Sequence, residues 1–349
     1  MSLKRPIRVL IVDDSALVRK ILAVGLAKDP EIEVVGQAVD PYQARDLLVE
    51  LRPDVITLDV EMPRMDGVTF LRRFMPVLPT PTVVISSLTQ EGKRITFEAL
   101  EAGAVDVIAK PTLGLVEGLP LLLDDICRRV KNAAEANVDH FATLGGGRPV
   151  EAVGKLEETT DRIIAIGAST GGVEALRRIL PAFPADGPGI LIVQHMPAGF
   201  TEAFADRLNG LCRMRVKEAE QGDRVLPGLV LVAPGGTRHM GVIRSGSEYR
   251  ISLTEGPEVN YSRPAVDVLF MSVAAEVGRN AAAALLTGMG KDGAAGMLAI
   301  RRAGGRTFAQ DEATSVVFGM PGAAQQMGAA EWVVPLEKIP ALLIGAVGG

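Results

Sequence analysis

A chain of 349 residues, 48% of them hydrophobic and 23% charged, has the length of roughly two domains, each able to bury a sizeable core. A formal net charge of −5 and an aromatic content of 4% count against a dedicated nucleic-acid binder, which needs a basic face or stacking rings. Two cysteines, Cys127 and Cys212, and three histidines frame neither a disulfide scaffold nor a soft-metal centre.

The opening MSLKRPIRVLIVDD has basic residues and then only a short apolar run, without the length or cleavage site of a signal peptide. No apolar stretch reaches the ~20 residues that span a bilayer. The expectation is a cytoplasmic chain without membrane insertion. From Ile7 to about Val130, the runs IRVLIV, IEVVG, DVITLD, TVVIS and AVDVIA read as five buried strands. Helical patterns lie between them, as from Ser15 to Lys28, where Leu17, Val18, Ile21, Leu22 and Val24 recur at helical spacing. Five βα units predict a parallel sheet with helices on both faces.

From about Ala133 to Thr160 the period disappears, and Gly145-Gly146-Gly147 and Pro149 mark a linker, with His140 as one of its solvated residues. At Arg162 the strand RIIAIG begins a second alternation, with a helix to about Leu180, the strand GILIVQ and a helix to about Leu208. A β-rich interval follows, LVLVAP, MGVIR and YRISL, separated by turn signals. Ser262 reads as the cap of a helix with Pro264 in its first turn, running to about Val277. The strand AAAALL and a helix from about Asp292 come next. The expected division is a first domain over 1–130, a linker over 131–160 and a second domain over 161–349. The second is a doubly wound, mainly parallel α/β domain with an antiparallel β insertion.

In the first domain, polar groups stand where apolar strands stop: Asp13 and Asp14, Asp59, Ser86 and Lys110. In an open parallel sheet the carboxyl ends of neighbouring strands converge on one crevice. Three crowded carboxylates repel one another unless a cation sits among them, and oxygen-only ligands favour a hard ion such as Mg²⁺. A lysine and a hydroxyl beside that ion suit a phosphoryl group. An acid after a strand also often does no more than cap the next helix, and Asp14 before Ser15 fits that reading as well.

These residues, in VDDS, LDVEMPRMDG, VISS and AKP, resemble the receiver domain of two-component response regulators over about the first 125 positions. The resemblance implies a flavodoxin-like (βα)5 fold and phosphorylation of Asp59 by a histidine kinase. It further implies Mg²⁺ on Asp13, Asp14 and Asp59, phosphate contacts from Ser86 and Lys110, and a cis Lys110–Pro111 bond. Val107 departs from it, because receivers usually carry an aromatic ring three residues before the lysine.

The second domain opens on a strand running into GASTGG, Gly167 to Gly172, a strand–turn–helix sequence that can expose Ser169 above a sheet near helix-terminal N–H groups. The same glycine-rich turn can cradle a phosphate, and by itself the motif leaves both readings open. The next strand ends at His195, a base suited to taking a serine proton. A third strand leads to TGMGKDG and Asp292, a carboxylate able to orient an imidazole, and the loop from Gly288 to Gly290 offers N–H groups to an oxyanion. His239 is a lower-ranked base. A nucleotide-binding module lacks the full spaced glycine fingerprint here, and a DNA-binding output domain lacks a helix-turn-helix with a basic helix.

GASTGG, QHMP, LTGMGKDG and FGMPGAA from Phe318 together resemble the CheB family of chemotaxis protein-glutamate methylesterases, over almost the whole chain. The resemblance implies Ser169 as nucleophile, His195 as general base and acid, and Asp292 as its partner. Met289 would supply an oxyanion amide, and Thr170 would help to position the histidine. Methylated chemoreceptors are the implied substrates, with glutamine deamidation a further activity of some members, and no cofactor enters the ester chemistry. The unphosphorylated receiver is implied to cover the catalytic cleft.

Overall fold

The computed structural model describes residues 5–111, 118–138 and 162–348. The chain divides into two units, Met1–Gly147 and Arg148–Gly349. In the first, β1 (Ile7–Val12), β2 (Ile32–Ala38), β3 (Val55–Asp59), β4 (Thr82–Ser86) and β5 (Asp106–Ala109) alternate with α1 (Ala16–Leu26), α2 (Pro41–Leu51), α3 (Gly67–Phe74), α4 (Gln90–Glu101) and α5 (Leu123–Ala133). All neighbouring strands are parallel, in the order β2-β1-β3-β4-β5. Every residue of β3 and β4 is buried, as continuous apolar runs covered on both faces demand. Helix α1 packs on α5, whereas α2, α3 and α4 pack in succession, as right-handed crossovers from this strand order require. Short polar side chains start the helices: Ser15, Asp40, Asp66 and Thr89 each accept a backbone N–H of the first turn, a cap worth about 1 kcal/mol.

The second unit contains β6 (Ile163–Ala168), α6 (Gly172–Ile179), β7 (Gly189–Gln194), α7 (Thr201–Asn209), β8 (Arg215–Glu218), β9 (Leu229–Val232), β10 (Arg238–Ser245) and β11 (Glu248–Glu255). It continues with α8 (Val266–Glu276), β12 (Ala281–Leu285), α9 (Ala294–Arg302), β13 (Arg306–Gln310), α10 (Met320–Gln326), β14 (Trp332–Val334) and α11 (Ile339–Gly348). Seven strands form a parallel sheet in the order β14-β13-β12-β6-β7-β9-β8, and β10 pairs with β11 in a separate antiparallel hairpin. From β6 the chain builds outward through β7 and then returns to β12 on the other side, so the strand order reverses at β6. The crevice outside the carboxyl ends of β12, β6 and β7 is where such a sheet holds its ligands. The core beneath joins Val266, Leu269, Phe270 and Val273 of α8 to Met240, Val242 and Ile251 of the hairpin and to Ala283 and Leu285 of β12.

Four expectations change. The interval read as an antiparallel insertion supplies only β10 and β11, because LVLV of β9 joins the main sheet, parallel to β7. Ser262 caps no helix: α8 begins at Val266 after Ala265, with no side-chain cap. The cis proline bond among the described residues is Arg263–Pro264, not Lys110–Pro111; an X–Pro amide prefers trans by only about 0.5–1 kcal/mol, so local sequence does not decide the isomer. Residues 131–133, placed in the linker, form the last turn of α5, and the rest of the linker from residue 139 to 160, with His140, lies outside the described residues.

Candidate active site

At the carboxyl edge of the first sheet, Asp13, Asp14 and Asp59 bring one oxygen each to within 4.8 Å of one another. Asp13 and Asp59 are buried and Asp14 is exposed. Lys110 Nζ lies 2.5 Å from Asp59 Oδ2 and 3.5 Å from Asp13 Oδ2. Asp13 Oδ1 accepts the N–H of Ser15, but its Oδ2 makes no hydrogen bond among the described residues. Burial first, then the charge of Asp59 against the opposing pull of Lys110, lifts the Asp13 carboxyl to about 6. Burial works against the charge on Lys110, yet Asp59 and Asp13 outweigh it and hold that ammonium above its ordinary value. Oxygen donors only, one of them buried and unsatisfied, fit a hard cation. Ser86 is buried at the end of β4, where its hydroxyl donates to Gly92 O at 3.3 Å and its carbonyl accepts Lys110 N–H at 2.7 Å. Val107 is buried in β5 opposite Val84.

The second site gathers at the reversal of the second sheet. Ser169 follows β6 directly, and its N–H donates to Thr287 O at 3.0 Å. The chain then turns through Gly171, at φ +77, where a Cβ would stand 2.6 Å from Val316 Cβ, so only glycine passes. Ala168 and Gln194 face one another across β6 and β7, so Ser169 and His195 leave adjacent strands side by side. The Gln194 amide ties these ends together, donating to Ser169 O at 2.9 Å and His195 O at 3.0 Å.

His195 Nε2 lies 2.8 Å from Asp292 Oδ2. Asp292 is 2% exposed, and burial opposes its charge. The His195 contact and the N–H groups of Asp267 and Val266 outweigh that burial and hold the carboxyl below its ordinary range. Asp292 is therefore an acceptor, so in the neutral imidazole Nε2 carries the proton and Nδ1 presents a lone pair. That lone pair faces Ser262 Oγ at 3.3 Å, and no hydrogen bond among the described residues joins Ser169 Oγ to the ring. The Thr170 carbonyl accepts from Thr287 Oγ1, and the Thr170 hydroxyl makes no hydrogen bond to His195. His239 has both ring nitrogens on backbone, Nδ1 accepting Ala265 N–H and Nε2 donating to Pro257 O, and is structural.

The loop after β12 lies against the serine. A Cβ on Gly288 would stand 2.7 Å from Ser169 Cβ, so the glycine permits the approach. Gly288 O accepts from the N–H groups of Gly319 and Met320, and Gly288 N–H donates to Val317 O. The Val317–Met320 segment thus clamps this loop, leaving the Met289 N–H, one residue on, with no acceptor among the described residues. Thr287 Oγ1 accepts Val317 N–H, and Gln310 Oε1 accepts Thr287 N–H, completing the clamp. Sequence patterning gives no sign of Thr287, Gln194, Gln310 or Ser262 in these roles. Thr287, Gln194 and Gln310 work through backbone contacts, and Ser262 through the His195 ring, all of which only the folded chain creates.

The family model for the CheB methylesterase matches residues 164–343, and that for the response regulator receiver domain matches residues 9–114. A protein-glutamate methylesterase/protein-glutamine glutaminase of Syntrophotalea carbinolica is 57% identical over 339 residues, covering 96% of this chain and 96% of the relative. One from Pseudomonas aeruginosa is 55% identical, covering 97% of this chain and 96% of its own. Among solved structures, the CheB methylesterase catalytic domain of Thermotoga maritima is 41% identical, with a TM-score of 0.52, covering 54% of this chain and 99% of its own. With majority identity along nearly the whole length and both family models matched, the chain belongs to the CheB methylesterase family, carrying a receiver domain ahead of its catalytic domain.

Proposed function

We propose that this chain hydrolyses γ-methyl esters on glutamate side chains of chemoreceptors, releasing methanol, in chemotaxis adaptation in the cytoplasm. One observation carries the reading: His195 is held by Asp292 at 2.8 Å through Nε2, leaving Nδ1 to face a hydroxyl group, at the strand end beside Ser169. Ser169 Oγ attacks the ester carbonyl while His195 Nδ1 takes its proton. Asp292 stabilises the imidazolium that forms, and the Met289 N–H faces the tetrahedral oxyanion. The imidazolium returns its proton to the departing methoxide, and the same nitrogen then activates water to cleave the acyl-enzyme. Thr170 supports the site through its carbonyl bond to Thr287. Names of the relatives supply a second activity, deamidation of protein glutamine, which asks the same imidazolium to protonate a poorer leaving group.

The receiver is proposed to take a phosphoryl group on Asp59 from a histidine kinase. Asp13, Asp14 and Asp59 would hold Mg²⁺, which when bound neutralises carboxylate and phosphoryl charge. Lys110 stands ready at Asp59 for the incoming group, and Ser86 reaches it on leaving the Gly92 carbonyl.

The 3.3 Å contact of Ser262 with Nδ1 favours a second reading of the nucleophile, in which Ser262 is acylated. Labelling with a fluorophosphonate and mapping the peptide separates the two. The adduct is expected on Ser169, absent in Ser169→Ala and retained in Ser262→Ala. Methanol release from methylated receptor is expected to fall at least about 10³-fold in Ser169→Ala. An adduct on Ser262, or turnover surviving in Ser169→Ala, would overturn the assignment.

A further inference from the structure

Between β11 and α8 the chain makes a two-residue turn. Val259 and Ser262 exchange backbone hydrogen bonds of 3.1 and 3.0 Å around Asn260 and Tyr261, whose φ values are 51 and 61. Two consecutive left-handed residues are the mark of a type I′ turn, in which asparagine is at home and tyrosine is strained. Tyr261 is 78% exposed, so packing of its ring does not explain why the strain is kept. Strain of this kind is held by its surroundings, and here they act through Asn260.

The Asn260 amide points at two carboxylates, donating to Asp267 Oδ2 at 2.8 Å and to Asp292 Oδ1 at 3.1 Å. Asp292 Oδ1 also accepts the N–H groups of Asp267 and Gly293, while its Oδ2 serves Val266 N–H and His195. Asp267 Oδ1 accepts Gly296 N–H. Burial raises the Asp267 carboxyl, and Asp292 adds to that rise against the bonds from Gly296 and Asn260. Two acids facing one another repel, and repulsion would rotate Asp292 off the imidazole. A cation between them would remove the repulsion but would also compete with His195 for the negative charge of Asp292. A neutral amide with two N–H groups holds both acids and leaves that charge to the histidine.

We propose that Asn260 is a positioning residue of the esterase, tying Asp292 to the buried Asp267 so that Oδ2 stays aligned with His195 Nε2. The assignment rests on the esterase reading above and extends it to a residue that touches neither substrate nor base. Asn260→Gly keeps the left-handed turn and deletes both N–H groups; Asn260→Asp keeps the shape and puts an acceptor where the donors were.

In the full-length protein, both variants are expected to lose at least about tenfold in kcat on methylated receptor with KM within about twofold, Asn260→Asp losing more. The low-field proton resonance of the His195–Asp292 hydrogen bond, absent in Asp292→Asn, is expected to shift or broaden in both. Thermal melting identifies any variant that fails to fold, and Asn260→Gly decides the matter if Asn260→Asp does not. A folded Asn260→Gly with kcat within twofold of wild type and an unmoved resonance would overturn the proposal, as would an Asn260→Asp faster than Asn260→Gly. A wild type that releases no methanol counts against the esterase reading instead, and the resonance, which needs no turnover, then decides the role of Asn260.

Discussion

Asp13 carries the sharpest residue-scale consequence in the receiver. Its carboxyl stands at about 6 when folded, against an ordinary 3.8, so the folded chain binds this proton more tightly than the unfolded chain does. For this group alone the folded state is favoured below the ordinary value, and that advantage disappears as pH rises through about 6. A bound cation reverses the preference, because it needs the carboxylate ionised. Mg²⁺ should therefore raise the melting temperature of the receiver transition at about pH 7.5 and progressively less below about pH 6. Equal shifts on both sides of that window, read by calorimetry, would remove Asp13 from the ligand set.

Among the elements, the loop after β12 leaves little room for added bulk. Gly288→Ala would drive a methyl to 2.7 Å from Ser169 Cβ and 2.4 Å from Met320 Sδ. The thioether can swing aside; the serine, tied by its N–H to Thr287 O, cannot follow without moving the nucleophile. A loss of about 1–3 kcal/mol of stability is expected in denaturant titration, with a larger proportional loss of esterase rate. The elements most legible in the sequence were those with continuous apolar runs, such as IRVLIV, TVVIS and GILIVQ, whose bounds the structure reproduces. Strand β8, RVKE, has only one fully buried residue and lies at a sheet edge, so its composition does not distinguish it from a loop. Whether LVLV joins a hairpin or a parallel sheet depends on distant partners, and nothing local encodes it. Ser169 and His195 stood out because each follows an apolar strand, and Asp292 because it ends the polar loop TGMGKD between a strand and a helix. Asn260 and Ser262 lie in a short polar turn, where one role is as plausible as another until the chain closes around them.

For the whole molecule, two sheets of different strand order put their polar groups by the same rule, at carboxyl edges where the winding reverses. The proposed control of the second site through the first runs through a phosphoryl group on Asp59, and the full chain tests it. Asp59→Asn is expected to abolish stimulation of methanol release by a small phosphoryl donor while leaving the unstimulated rate within about twofold. Stimulation that persists in the variant would place the phosphoryl group elsewhere. The hold of Val317, Gly319 and Met320 on Gly288 also sets a timetable for synthesis. All three candidate catalytic side chains are in the chain once Asp292 has been added, but the strip that clamps the loop beside them is still unmade. A nascent chain halted at that point would possess the reagents without the vessel, so hydrolysis has to wait until Val317, Gly319 and Met320 have joined them.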